Sequence, residues 1–261
     1  MQNLKFILSF IKYYLAAKTR FDIHPPFLFE LVTEVFNNEG DNLDYAKVEM
    51  MKSGLLKDER LINVLDLGAG SVNNKSDQRS VRQIARSSSR PVKYGRLLYR
   101  MAAYIKPKTI LELGTSLGIS SAYMAFGSPA SRIITIEGSP EIANLARENF
   151  LKLELANVEV INGNFDDVLP GVLESVTQPE LIFIDGNHRN DATIKYFNQC
   201  LSKVVNETVI IFDDINWSKG MQDAWSGIYH HPSVTLSLDI FFMGFVFFRR
   251  ELSKQHFTIR F

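Results

Sequence analysis

Two apolar runs in this chain each end in acids. Leu181-Ile182-Phe183-Ile184 is followed by Asp185-Gly186-Asn187-His188, and Thr208–Phe212 by Asp213-Asp214-Ile215-Asn216-Trp217. Runs without a polar interruption are expected of parallel strands buried on both faces. Ligands bind at the carboxyl ends of such strands in open α/β sheets. Three carboxylates and a histidine are thus delivered to one edge, more than a solvent-facing turn calls for. An imidazole takes up and releases a proton near neutral pH, which suits His188 to the work of a general base. Its structural alternative is to cap the helix that follows.

A second chemistry-bearing stretch lies upstream. Thr109-Ile110-Leu111-Glu112-Leu113 reads as a strand, and Gly114-Thr115-Ser116-Leu117-Gly118 as a tight loop into a helix from Ser120. Such a turn aims backbone N–H groups and the positive end of a helix dipole at a small ligand. The dinucleotide fingerprint requires Gly-x-Gly-x-x-Gly, and this chain has Ser116 and Ile119 where its second and third glycines belong, which argues against NAD. Arg132–Ile136 forms the next strand and ends in Glu137, about 20 residues beyond Gly118, the separation at which an acid binds ribose hydroxyls. Val158–Ile161 is a third strand, leading into Asn162-Gly163-Asn164-Phe165. An ordinary Asn-Gly turn is the alternative meaning of that last segment.

The pattern Glu112-x-Gly114-x-x-x-Gly118 resembles the first motif of the class I S-adenosylmethionine-dependent methyltransferases. The helix start Lys93-Tyr94-Gly95-Arg96-Leu97, shortly before the Glu112 strand, narrows the likeness to the small O-methyltransferases of the catechol and caffeoyl-coenzyme A type. The similarity runs from Val92 to Phe248. It implies a Rossmann-like class I methyltransferase fold, with a seven-stranded, mostly parallel sheet, helices on both faces and a helical N-terminal extension. Under it, Gly114, Thr115, Ser116 and Gly118 turn beneath the methionine part of S-adenosylmethionine, and Glu112 helps to hold its amino end. Glu137, with Gly138, takes the ribose, Asn164 and Phe165 lie near adenine, and Lys93 and Asp185 line the same pocket.

The family also implies a divalent cation, Mg2+, on Asp185, Asp213 and Asp214, the last in the place of an asparagine. Magnesium accepts either side chain as a hard oxygen ligand. Adjacent strand residues point to opposite faces, however, so Asp213 and Asp214 can share an ion only if the chain turns there. Relatives with the same Asp-Gly-Asn-His turn work without a metal, and in them His188, Asp185 or Asp214 takes the acceptor proton. The expected activity is O-methylation of a small molecule; a non-catalytic cofactor-binding or assembly subunit of the same fold is the alternative.

A chain of 261 residues at 46% hydrophobic content can bury a substantial core around these residues. The division expected is an extension over 1–90 and a cofactor-binding domain over 91–261. Lys+Arg and Asp+Glu each total 29, so no polyanion such as nucleic acid is expected as a partner. The single Cys200 fits a reducing, cytoplasmic setting. Met1–Arg20 is apolar but broken by Lys5 and Lys12, so no run approaches the ~20 residues of a membrane span. It reads as a basic amphipathic helix that docks on its own domain, pairs in a homodimer or lies on a membrane surface. Ile62–Gly70 resembles the first methyltransferase motif more nearly, letter for letter, than the Glu112 stretch does. No second strand ending in an acid follows it, so it reads as a short strand and loop of the extension. Arg79, Arg82 and Arg86 beyond it have the spacing of a solvated helix face. Trp217 is a candidate wall of the acceptor pocket and Trp225 a core aromatic. Phe241, Phe242, Phe245, Phe247 and Phe248 read as core.

Overall fold

The computed structural model of the chain describes residues 2–38, 40–65, 78–88 and 90–261. Helices α1 (Gln2–Ala16), α2 (Pro26–Leu31) and α3 (Leu43–Leu55) come first. The short strands β1 (Leu61–Asn63) and β2 (Gln78–Ser80) pair antiparallel, Ile62 opposite Arg79, and lead into α4 (Val81–Ser88). Helices and strands then alternate through α5 (Val92–Ile105), β3 (Thr109–Leu113), α6 (Ile119–Gly127), β4 (Arg132–Glu137), α7 (Pro140–Lys152), β5 (Val158–Asn162) and α8 (Phe165–Ser175). The alternation continues with β6 (Leu181–Ile184), α9 (Asn190–Leu201), β7 (Val209–Asp213) and α10 (Lys219–His230). Strands β8 (Leu236–Asp239), β9 (Met243–Phe247) and β10 (Gln255–Thr258) follow.

Local chemistry sets these boundaries. Asn42 and Ser218 cap α3 and α10 by accepting the N–H of Asp44 and Met221. Pro140 opens α7, where a missing N–H costs nothing. Helix α5 stops at Lys106, in the left-handed region at φ 51°, just before Pro107. Helices α5 and α6 pack through glycines: a Cβ on Gly95 would sit 2.2 Å from the Tyr123 ring, and one on Gly127 2.3 Å from the carbonyl oxygen of Tyr99.

Packing groups 39–176 into one compact unit and 1–38 with 177–261 into another. The second half of the expected extension, 39–90, thus packs with the Glu112 and Glu137 strands. Within the first unit β3, β4 and β5 run parallel, Leu113 opposite Ile136 and Glu137 opposite Asn162. Within the other, β6 and β7 run parallel, while β9 lies antiparallel between β7 and β8. The strand order is β3-β4-β5 in the first unit and β10-β8-β9-β7-β6 in the other. That is eight strands where seven were expected. The extra one, β10, pairs parallel with β8 at the edge of the sheet and buries Phe257. Strands β6 and β7 are buried at every position, as their uninterrupted apolar sequences require. Among the described residues no helix is long and apolar enough to cross a membrane.

Candidate functional site

The loop after β3 is folded back hard on β4. Gly114, Ser116 and Gly118 have φ of 108°, 45° and 81°, and the N–H groups of Gly114 and Thr115 both reach the carbonyl oxygen of Ile136, at 3.0 and 3.1 Å. Glycine is required at 118, where a Cβ would meet the Phe150 ring at 2.6 Å in addition to the left-handed backbone. Gly118→Ala is expected to cost about 2–4 kcal/mol of stability from the two effects together; a denaturant midpoint close to wild type would contradict this.

Glu137 is pinned to that loop. Its Oε2 accepts the Ser116 N–H at 2.8 Å and its Oε1 the Ser139 N–H at 2.9 Å. From the other side, Asn162 Nδ2 and the Gly163 N–H donate to the Glu137 carbonyl oxygen at 2.7 and 3.0 Å. A carboxylate has about four lone-pair sites, so room for ligand hydroxyls remains after these amides are served. The side chain is half-buried. Burial pushes its pKa above the ordinary carboxylate value, against the downward pull of the backbone amides.

Glu112 lies differently from expectation. Its carboxyl is fully buried and accepts hydroxyls from Ser120, Ser121 and Thr135, and Thr135 Oγ1 lies 2.6 Å from Thr115 Oγ1. The group ties α6 and β4 beneath the loop instead of facing outward to an amino group. Burial raises its pKa to about 7, with the three hydroxyls pulling the other way and the Glu137 charge adding to the rise. A carboxyl with a raised folded pKa stabilises the fold fully below its unfolded value, and that contribution is lost as pH rises through the folded one. Stability is therefore expected to fall by on the order of 3 kcal/mol between about pH 4.5 and 7. Glu112→Gln should remove that slope and melt higher than wild type at pH 8. A variant that melts lower at pH 8 would contradict it.

The other expected cofactor residues divide. Thr115 is buried, its N–H and carbonyl bonded to Ile136 and Gly118, whereas Ser116 and Gly138 stay partly accessible. Asn164 uses its Oδ1 to cap α8, accepting the Asp166 N–H at 3.1 Å, and Phe165 begins that helix, partly buried. Lys93 sits exposed on the first turn of α5, its ammonium 5.1 Å from the centroid of the Tyr94 ring.

Sequence reading missed the residues that brace Glu137. Asn63 in β1 forks onto the Glu141 carboxylate, its N–H and Nδ2 each at 2.8 Å, and the Leu65 N–H reaches Ser139 Oγ at 3.3 Å. Val64, Val81, Ile84 and Ala85 share a buried cluster with Leu117 of the glycine loop and Ile142 of α7. The motif-like segment at 62–70 is therefore support for the loop as far as Leu65; Asp66 to Gly70 lie outside the described residues. Arg82 pairs with Glu59, Arg79 stands in β2, and Arg86 is exposed.

In the other unit, β6 delivers Asp185 and His188 and the turn after β7 delivers Asp214. His188 Nε2 lies 3.6 Å from Asp185 Oδ1 and 3.7 Å from Asp214 Oδ2, all three side chains being half-buried or more. Those separations are too long for hydrogen bonds. Asn187 and Asp214 both have left-handed backbones, at φ 50° and 58°. Asn187 donates through Nδ2 to the Tyr196 hydroxyl at 3.1 Å, and its buried Oδ1 has no hydrogen-bond partner. Strained backbone together with an unsatisfied buried acceptor at the ends of two buried strands marks a functional turn.

The chain does turn at Asp214, as a shared cation would need. The His188 imidazole faces both Asp185 and Asp214, Asp213 is buried at the end of β7, and no group of three acidic, histidine or cysteine side chains among the described residues could hold a metal. This arrangement does not fit the expected Mg2+ set. Trp217 is 58% exposed, available to a ligand; Trp225 is buried, as are four of the five expected core phenylalanines, with Phe242 partly buried.

Residues 111–215 match a family described as a methyltransferase domain. The chain is 33% identical over 124 residues to a catechol O-methyltransferase of Niastella koreensis and 31% over 123 residues to one of Mycobacterium tuberculosis, in each case over 46% of this chain. It spans only about half the length of these curated relatives, 55% and 54%. Among solved structures, the SAH-bound methyltransferase of Podospora anserina superposes with a TM-score of 0.60 at 18% identity, over 87% of this chain and 98% of that one. An O-methyltransferase from Bacillus cereus, in complex with SAH, gives 0.56 at 22% identity, over 85% and 97%. The fold is the Rossmann-like class I methyltransferase fold, and the chain resembles the small O-methyltransferases.

Proposed function

We propose that this chain, with the fold and the matched segment of the small class I methyltransferases, is an S-adenosylmethionine-dependent O-methyltransferase of a small hydroxylated molecule. The observation that carries this reading is Glu137, a half-buried carboxylate locked by the Ser116 and Ser139 amides with room left for ribose hydroxyls. The residues fit S-adenosylmethionine: the left-handed loop Gly114–Gly118 lets the backbone pass close under a ligand, and the exposed faces of Ser116 and Gly138 adjoin the ribose-binding acid. When bound, the cofactor supplies a methyl group on a positively charged sulfur.

The chain's own work is positioning and proton transfer. Holding an acceptor oxygen in line behind the methyl group turns a bimolecular displacement into a step within one complex. His188 Nε2 accepts the acceptor's hydroxyl proton as the new bond forms, and the carboxylates of Asp185 and Asp214 stabilise the imidazolium that results. Trp217 offers an aromatic face to the acceptor. The buried, unpaired Cys200 supports a reducing, cytoplasmic setting.

A transfer assay with methyl-labelled S-adenosylmethionine against a panel of catechols and other small phenols and alcohols, with Mg2+ and with chelator, tests this. Labelled ether formed in both conditions is expected. Activity only with Mg2+ would restore the cation and displace His188 as the base. Cofactor binding without transfer to any acceptor would favour a binding subunit.

A further inference from the structure

Helix α1 is apolar on two faces, and the described residues cover only one of them. Tyr13 and Ala17 are buried against Phe241, the rings of Phe6 and Phe10 stand 5.1 and 4.9 Å from that of Phe241, and the Tyr13 hydroxyl donates to the Ile259 carbonyl oxygen at 2.6 Å. At about 100° per residue, Ile7, Leu8, Ile11 and Leu15 form a separate stripe turned away from that contact. They are 52%, 49%, 47% and 78% exposed. Lys12 stands beside the stripe, exposed, and Lys18 and Arg20 follow it, also exposed. The Arg260 guanidinium lies 4.3 Å from the centroid of the Tyr14 ring at the stripe's other border. No carboxylate occurs between Met1 and Phe21. The first acid, Asp22, is engaged by the N–H and hydroxyl of Thr19.

We propose that this outward face of α1 docks on an anionic lipid surface, with Ile7, Leu8, Ile11 and Leu15 entering the headgroup boundary and Lys12, Lys18, Arg20 and Arg260 meeting lipid phosphates. Charge selects this occupant over a second copy of the chain. A two-fold pairing of α1 with itself would bring two sets of cations together with no carboxylate on the helix to offset them. An anionic bilayer supplies the missing charge, and an apolar stripe bordered by basic residues is the pattern of a helix lying in the plane of a membrane interface. This inference stands apart from the catalytic reading and uses none of its residues.

Flotation with vesicles tests it. The protein is expected to float with phosphatidylcholine vesicles containing about 30% phosphatidylserine, to stay behind with pure phosphatidylcholine, and to lose binding as salt rises. Ile11→Asp with Leu15→Asp should lower the partition coefficient about tenfold or more, with melting temperature and helical dichroism unchanged because both side chains are exposed. Lys12→Gln with Arg20→Gln should lower it about fivefold per charge removed and serves as an independent variant. No flotation at low salt, or equal flotation of wild type and both variants, overturns the inference. So does a concentration-dependent dimer in sedimentation that Ile11→Asp with Leu15→Asp abolishes.

Discussion

Replacing His188 by asparagine is expected to reduce methyl transfer about 10²–10⁴-fold while leaving the affinity for S-adenosylmethionine unchanged. The imidazole is the group that Asp185 Oδ1 and Asp214 Oδ2 both face, at 3.6 and 3.7 Å. Asparagine keeps a polar side chain on the turn but has no site to take up the acceptor's proton. Phenolic acceptors ionise unaided in alkali, so the variant should recover activity as pH rises, which wild type does not need to do. A residue that merely shaped the turn would show none of this: its loss would lower the melting temperature and the rate together at every pH. An undiminished rate at neutral pH would remove His188 from the chemistry.

Glu137→Ala is expected to weaken S-adenosylmethionine binding about 100-fold, the effect of losing two hydrogen bonds to a charged acceptor. The substitution also frees the Ser116 and Ser139 N–H groups that the carboxylate now holds at 2.8 and 2.9 Å. Glu137→Gln should fall between, because an amide oxygen still accepts one hydroxyl. The carboxyl's pKa is raised by burial, so binding should begin to fail on acidification at a higher pH than for an ordinary glutamate. Unchanged affinity in the alanine variant would mean that the ribose is held elsewhere.

Much of this was legible in the residues because parallel sheets announce themselves. Leu181–Ile184 has no polar interruption, Arg132–Ile136 is apolar after its arginine but for Thr135, and the acid that follows each run stands at the edge where ligands bind. What stayed hidden depends on contacts between residues far apart in sequence. Glu112 reads as a ligand-facing acid until Thr135, 23 positions away, is seen to bond it together with Ser121. Nothing in the segment Leu61–Leu65 points to Glu141, 78 positions downstream of Asn63. Helix α4 passed as a solvated basic face because Arg82 and Arg86 dominate it, although Val81, Ile84 and Ala85 follow the i, i+3, i+4 spacing of a buried stripe. The cation set was not found among the described residues: Asp213 is buried at the end of its strand, and an imidazole faces the Asp185 and Asp214 carboxylates.

The most direct measurement is a calorimetric titration of the intact protein with S-adenosylmethionine, repeated in the presence of a chelator. One site per chain with micromolar affinity, unchanged by the chelator, is the predicted result. A folded protein that evolves no binding heat in either condition would contradict the methyltransferase reading at its root.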